Sequence, residues 1–213
     1  MTPNLKNEIQ YYTNILKENE ILLLKSKDEF FKTHYQGSPL NILTNFSGST
    51  AEAILDKNGE ITIFVDTRYH ILVDKQVYKN IKVCKMPLGE TFIEAFRKKY
   101  KKNTTLYVDN TLSLNEYYRL DKHFNLKIYT INPKQDKNLD FNNKEKIFLV
   151  NEEIEKLDFS YKVNKLKKIN SKIEKMLVFN LDEISYLTNL RSYQMKYSSN
   201  FKSILFLDFK NNN

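Results

Sequence analysis

A predicted β-hairpin in the first third of the chain constrains the fold more than any other stretch. Its strands are the short, β-rich runs Glu52–Leu55 and Ile61–Val65, separated by the turn signal Asp56-Lys57-Asn58-Gly59. Asn and Gly tolerate the positive φ that tight hairpin turns require, so the hairpin is favoured. A polar loop, Leu43–Thr50, leads into it, and a charged turn, Val65–Tyr69, follows it.

Helix-like and strand-like segments alternate through the rest of the first 131 residues. Leu5, Ile9, Tyr12 and Leu16 recur at helical spacing, after a proline suited to the first helical position. The other predictions are a strand at Ile21–Leu24, capping boxes at Ser26–Glu29 (opening a helix through Phe31) and Ser113–Glu116, a turn at Gly37–Pro39, helices at Tyr69–Val77 and Thr91–Tyr100, and strands at Ile81–Cys84, Leu106–Val108 and Leu126–Tyr129. Strands that alternate with helices indicate an α/β layered domain.

A change of composition predicts the domain boundary. Asn, Lys and Asp replace the apolar periodicity at 132–146, which separates a first domain, 1–131, from a second unit, 147–213. The second unit is predicted to hold strands at Ile147–Val150, Met176–Phe179 and Ser203–Phe209, and helices at Tyr161–Ile169 and Leu181–Leu190. These elements are too few for a complete domain, so we expect an incomplete second α/β domain.

The composition is that of a globular protein. Apolar residues make up 41% and charged residues 28% of the 213 residues, which does not indicate disorder. Cys84 is the single cysteine, which excludes an internal disulfide and a cysteine-built metal site and favours a reducing, cytoplasmic location. No apolar run approaches the roughly 18 residues that span a membrane. The net charge of +8 comes from dispersed lysines, which predicts a solvated surface rather than a specific nucleic-acid interface.

Three sequence motifs point to one family. Leu43-Thr44-Asn45-Phe46-Ser47-Gly48-Ser49 and Asp66-Thr67-Arg68-Tyr69 resemble the paired motifs LTGFTGS and TDGRY of Xaa-Pro aminopeptidases, the aminopeptidase P branch of the creatinase and prolidase superfamily. The run from Leu181 to Arg191 is similar to that family's LDEIAWLxNLRG. Asn45, Thr67 and Ser192 stand where the family motifs have glycine.

The resemblance implies a fold and a function. The fold is the creatinase/prolidase N-terminal type, a ribonuclease H-like layered domain with a mixed sheet. Such enzymes remove the N-terminal residue that precedes proline, using two divalent, manganese-type cations held by carboxylates and a histidine in a C-terminal catalytic domain. We expect that domain to lie outside this sequence, and we expect no cofactor within it. His34, His70 and His123 lack the short spacings of a metal site.

The chain is therefore expected to be a non-catalytic N-terminal part of such a peptidase. Its expected contributions are substrate access, peptide binding and assembly with the catalytic domain, and a homodimer is compatible with this role. By resemblance, Arg68 and Tyr69 contact a peptide with proline at its second position. Alternatively, Arg68 pairs with Asp66 or a carbonyl and holds the turn. Alternate side chains change faces along a strand, so Arg68 is expected to project toward solvent.

Two further functions stay open at this point. One is a free-standing pseudoenzyme that binds peptides or pairs with a full-length relative. The other is a basic, ribonuclease H-like nucleic-acid-binding domain or nuclease, in which Asp66 and Asp109 at the ends of predicted strands would belong to an acidic cluster. Asp182 and Glu183 are expected to stabilise a helix start, and Arg191 to anchor that helix's carbonyls or the catalytic domain.

Overall fold

The computed structural model describes residues 3–27, 38–129, 146–151, 153–169, 171–193 and 198–210. The chain divides into two units, Met1–Leu139 and Asp140–Asn213. Apart from Lys146, the predicted linker at 132–146 lies outside the described residues, so the domain limits stay a prediction. The helix predicted to follow the capping box at Ser26–Glu29 also lies outside the described residues, which end at residue 27 and resume at residue 38. Within the described ranges, no helix is long and apolar enough to cross a bilayer.

Helices and strands alternate through the first unit, as the sequence predicts. In chain order they are α1 (Pro3–Thr13), β1 (Glu20–Lys25), α2 (Pro39–Thr44), β2 (Glu52–Asp56), β3 (Ile61–Val65), a 3-10 turn (Thr67–Tyr69), α3 (His70–Gln76), β4 (Lys82–Lys85), α4 (Phe92–Lys99), β5 (Thr105–Asp109), α5 (Leu114–Asp121) and β6 (Asn125–Tyr129). Side-chain caps begin α4 at Thr91 and α5 at Ser113, at the two positions where the sequence has a capping residue followed by glutamate. Both caps satisfy backbone N–H groups that the first helical turn leaves free.

The strands of this unit form a six-stranded mixed sheet in the order β4-β3-β2-β1-β5-β6. β2 is antiparallel to both of its neighbours, and the remaining pairs are parallel. The predicted hairpin is confirmed as β2 and β3, with Glu52 opposite Phe64 and Leu55 opposite Ile61. The carboxyl ends of the parallel strands and the start of β2 therefore share one edge of the sheet, called here the carboxyl edge.

Helices cover both faces of the sheet. Side chains alternate along a strand, so Leu22 and Leu24 of β1 face one core and Ile21 and Leu23 face the other. The first core includes residues of α1, α2 and α3, and the second includes residues of α4 and α5. β3 is buried at every position, which explains why its sequence is apolar except for Thr62. The predicted α/β layered fold is confirmed.

Two local predictions are wrong in this unit. Gly37 lies outside the described residues. Ser38 and Pro39, predicted to form a turn with it, instead begin α2, because the Ser38 hydroxyl accepts a hydrogen bond from the Asn41 backbone N–H and Pro39 occupies the first turn. α1 ends at Thr13, although the apolar periodicity runs on to Leu16. Leu16 is still buried, with 2% of its surface exposed, but it lies in the connection to β1.

The second unit contains two small antiparallel sheets and two helices in its described ranges. Its elements are β7 (Phe148–Leu149), α6 (Phe159–Ile169), β8 (Lys175–Val178), α7 (Leu181–Thr188), β9 (Leu190–Arg191) and β10 (Leu205–Asp208). β8 pairs with β10 and β7 pairs with β9. The helix predicted to reach Leu190 ends two residues earlier, because Asn189 has a positive φ of 58°.

A buried lysine in α6 is not predicted by its apolar periodicity. Lys162 is 3% exposed, whereas Val163 and Leu166 are only half-buried and Ile169 is exposed. Its Nζ donates to the Tyr186 carbonyl at 2.7 Å and also to the Asn189 side chain. A charged group is buried at low cost only where such partners replace water, so Lys162 ties α6 to the end of α7.

Candidate functional site

The two motifs of the first unit, Leu43–Ser49 and Asp66–Tyr69, lie against each other. Phe46 is 1% exposed and its ring meets the Tyr69 ring edge-on, with centroids 5.6 Å apart. The Ser49 backbone N–H donates to the Tyr69 hydroxyl at 3.2 Å, and the two hydroxyl groups are also hydrogen-bonded. Motifs separated by a hairpin in sequence thus form one site, called here the motif site.

Gly48 is required by close packing. A Cβ at this position would lie 2.3 Å from the Phe46 Cζ and 2.9 Å from the Tyr69 Cδ1. These distances are far below the ordinary carbon contact of about 3.5–4.0 Å. Gly59 and Gly89 have a positive φ, but Gly48 does not. Glycine is therefore needed at position 48 for lack of space and not for its backbone conformation.

The three departures from the family's glycines are accommodated differently. Asn45 ends α2 in the left-handed region, with φ 63°, a conformation that glycine and asparagine adopt more readily than other residues. Thr67 opens the 3-10 turn, and Ser192 is buried. Neither has a positive φ, so neither position needs glycine for its own backbone conformation.

Gln76, which carries no sequence signal of a functional role, holds the loop of the motif site to α3. The Asn45 side-chain amide donates to the Gln76 backbone carbonyl at 2.9 Å, and the Ser47 backbone N–H donates to its side-chain oxygen at 3.0 Å. Gln76 also donates to the Ser47 hydroxyl at 2.8 Å. These contacts join residues about 30 positions apart, which no local pattern predicts.

Asp66 caps the turn and fixes the direction of Arg68. Its carboxylate accepts from the Arg68 backbone N–H at 3.0 Å. The guanidinium Nε donates to the same carboxylate at 3.1 Å, and Nη2 donates at 2.6 Å. This bidentate pair is the geometry that arginine and carboxylate groups favour. The Arg68 hydrogen bonds hold the pKa of Asp66 below its ordinary value.

Arg68 and Tyr69 occupy different environments. The Arg68 side chain is 65% exposed, which confirms its predicted projection toward solvent, and its guanidinium carbon lies 5.4 Å from the centre of the Tyr69 ring. Tyr69 is half-buried, and its hydroxyl is engaged by Ser49. Arg68 therefore presents N–H groups to solvent, while Tyr69 supports the turn that carries it.

A dinuclear metal centre does not fit the described residues. They contain no group of three or more His, Cys, Asp or Glu side chains that could hold a metal ion. His70 interacts through Nε2 with the Met86 carbonyl at 3.1 Å, and His34 lies outside the described residues.

The acidic cluster of the nuclease hypothesis does not form from Asp66 and Asp109. β3 and β5 run in the same direction but are separated by β2 and β1. Three strand spacings place the two ends roughly 14 Å apart. Asp66 is also engaged by Arg68. These two acids cannot share a metal pair.

The third motif stabilises the second unit. Asn180 caps α7, accepting from the Asp182 and Glu183 backbone N–H groups at 2.9 and 3.4 Å, so the cap is the asparagine rather than the two acids. Arg191 donates to the carbonyl of Ser185 and, at 2.9 Å, to that of Leu190. Arg191, which lies in β9, therefore binds a carbonyl of the preceding helix α7, which agrees with one of its two predicted roles.

Comparison with known proteins identifies the fold. No family model and no curated protein matches the chain. X-prolyl aminopeptidase from Caenorhabditis elegans, a cytosolic enzyme with a dinuclear active site, matches 98% of this chain and 38% of its own, with a TM-score of 0.75 and 19% identity.

Two other solved structures are weaker matches. X-Pro aminopeptidase from Thermotoga maritima matches over 83% of this chain and 47% of its own, at 19% identity and a TM-score of 0.43. The creatinase/prolidase N-terminal domain of an X-Pro dipeptidase from Streptococcus pyogenes matches over 59% of this chain and 99% of its own, at 13% identity and a TM-score of 0.44. The match to the Caenorhabditis elegans enzyme shows that the chain has the α/β fold of an X-prolyl aminopeptidase, as its paired motifs predict. The chain spans 38% of the length of that enzyme.

Proposed function

We propose that this chain is the non-catalytic N-terminal part of a Xaa-Pro aminopeptidase and contributes to substrate access, peptide binding and assembly with the catalytic part. The observation that supports this function best is the structural match to X-prolyl aminopeptidase over 98% of the chain. A divalent metal pair in the catalytic part, a cytoplasmic location and a homodimer belong to the same proposal.

Arg68 is the proposed contact to the peptide. The Nε and Nη2 atoms of its exposed guanidinium donate hydrogen bonds to the Asp66 carboxylate. Arginine has five N–H donors in all. The remaining donors can reach a peptide carbonyl or carboxylate. Asp66 holds the side chain in one direction, which lowers the entropy lost when a peptide binds.

The packing of the motif site supports this role. Phe46 and Tyr69 lock the 3-10 turn against the loop that contains Gly48. A contact residue needs such support, because a loosely held side chain binds weakly. Tyr69 is thus proposed to position Arg68 and, as a half-buried residue beside it, to complete the peptide contact.

The non-catalytic role is tested with the purified chain. We expect no release of the first residue from an Xaa-Pro peptide in the presence of manganese, because no described group can hold the metal. Release that a chelator abolishes and manganese restores would contradict the proposal.

The peptide contact is tested by NMR titration with the tripeptide Ala-Pro-Ala. We expect weak binding that shifts amide signals of the motif site, and loss of those shifts in the Arg68→Lys variant, which keeps the charge but loses the planar fork. Arg97→Lys is the matched control, because Arg97 is an exposed arginine in the last turn of α4. Equal shifts in both variants would refute a role for Arg68.

A further inference from the structure

A cavity of about 230 Å³ lies beside the carboxyl edge, on the sheet face that α4 and α5 cover. Much of its wall is apolar, but several polar and charged side chains join it. The lining residues include Leu23, Lys25, Glu52, Phe92, Glu116 and Leu120. A cavity with an apolar wall and a few polar groups is the usual form of a small-molecule site.

Glu52 is out of place on this face of the sheet. It begins β2 and shares its face with Ile54, because alternate residues of a strand point the same way. Its cross-strand partners are Lys25 of β1 and Phe64 of β3. An apolar residue at position 52 would extend the apolar surface that Ile54 belongs to. Packing of the sheet therefore does not explain why this position is a glutamate.

The charged groups described next to Glu52 are engaged with other partners. Lys25 donates to Glu116 at 2.5 Å, and the Ser113 hydroxyl donates to the other Glu116 oxygen at 2.8 Å. One Glu116 oxygen is thus engaged by the Lys25 ammonium and the other by the Ser113 hydroxyl. Among the described residues, none donates a hydrogen bond to the Glu52 side chain.

Burial and charge together perturb Glu52. Burial raises its pKa to about 7, and the charges of Glu116 and Asp66 act in the same direction, opposed by Lys25 and Lys27. Arg119, which is exposed, also lines the cavity from α5. A half-buried carboxylate in this state gains most from a cation that enters with its own hydrogen-bond donors.

We propose that the cavity binds a small organic cation, a primary ammonium group carried on a short apolar body, with Glu52 as its acceptor. The ammonium donates to the Glu52 carboxylate, and the apolar body contacts Leu23, Phe92 and Leu120. Lys25 stays with Glu116. The cavity volume limits the ligand to fragment size.

The probe is isopentylammonium, and the neutral control ligand is isopentanol, which has the same apolar body. We expect isopentylammonium to shift amide signals of the cavity lining and to bind at least roughly tenfold more tightly than isopentanol. Glu52→Gln should remove this preference. Glu60→Gln is the matched control, because Glu60 lies at the other end of the same hairpin and its carboxylate pairs with Lys82 at the surface.

The pH dependence gives a second readout. Binding should weaken about tenfold between about pH 8 and pH 6, as Glu52 takes up a proton and the amine stays charged. The ligand should also lower the pKa of Glu52, measured by NMR of its carboxyl carbon. Equal binding of the amine and the alcohol, undiminished amine binding in Glu52→Gln, or the absence of shifts at the cavity lining would each overturn the proposal.

Discussion

Replacing Gly48 by alanine tests the packing of the motif site with a single methyl group. The new Cβ would lie 2.3 and 2.6 Å from two atoms of the Phe46 ring and 2.9 Å from the Tyr69 ring. Because Gly48 has no positive φ, alanine can adopt its backbone conformation. The cost of the substitution is therefore the cost of moving the two rings.

The size of this cost follows from the distances. Ordinary carbon contacts are about 3.5–4.0 Å, so the Phe46 ring must retreat by roughly 1 Å or more. Phe46 is 1% exposed and cannot move into solvent. Overpacking of this kind costs about 1–3 kcal/mol, and we expect the upper half of that range because the Tyr69 ring is displaced as well.

Urea unfolding of the first unit, followed by amide NMR signals of β1 to β5, measures the loss of stability. The double variant Gly48→Ala/Phe46→Leu is the informative control, since leucine leaves space beside the new methyl group. We expect Gly48→Ala to cost less in the Phe46→Leu background, by about 1 kcal/mol. A Gly48→Ala protein as stable as the wild type would refute the steric argument, as would an equal cost in both backgrounds.

Three further predictions concern single residues. Asn45→Ala should be less stable than Asn45→Gly by about 1 kcal/mol in urea unfolding, because both lose the bond to Gln76 but only alanine strains the positive φ. Glu52 has a raised pKa of about 7, so its contribution to folding is most favourable at low pH and declines as pH rises from its ordinary pKa toward 7. Glu52→Gln should remove that decline and stabilise the protein above pH 7 by at most about 3 kcal/mol; an undiminished decline in the variant would contradict this assignment. Lys162→Met should lower hydrogen-exchange protection of α7 by about 1–3 kcal/mol, since Tyr186 and Asn189 lose a donor, whereas the exposed Lys165→Met should not; equal effects would show that the lost charge matters and its contacts do not.

Local patterns predicted most of the secondary structure of the first unit. The Asn-Gly turn and the flanking β-rich runs give the hairpin of β2 and β3, because turn conformation and alternation are properties of adjacent residues. Two predictions failed at helix ends. Pro39 starts a helix because Ser38 caps it, and α1 stops before Leu16 although Leu16 is buried. Burial without helical continuation is a tertiary effect, which periodicity cannot distinguish from a longer helix.

The sequence by itself determined the family resemblance, the layered α/β fold and the exposed position of Arg68 at the end of β3. Residues close in sequence carry each of these, so local chemistry suffices. Only the tertiary structure decided which distant groups meet. Gln76 holds the motif loop, Asp66 and Asp109 are kept apart by two strands, and Lys25 is engaged by Glu116 rather than Glu52. Strand order and helix packing set these distances, and neither is encoded in the spacing of residues along the chain.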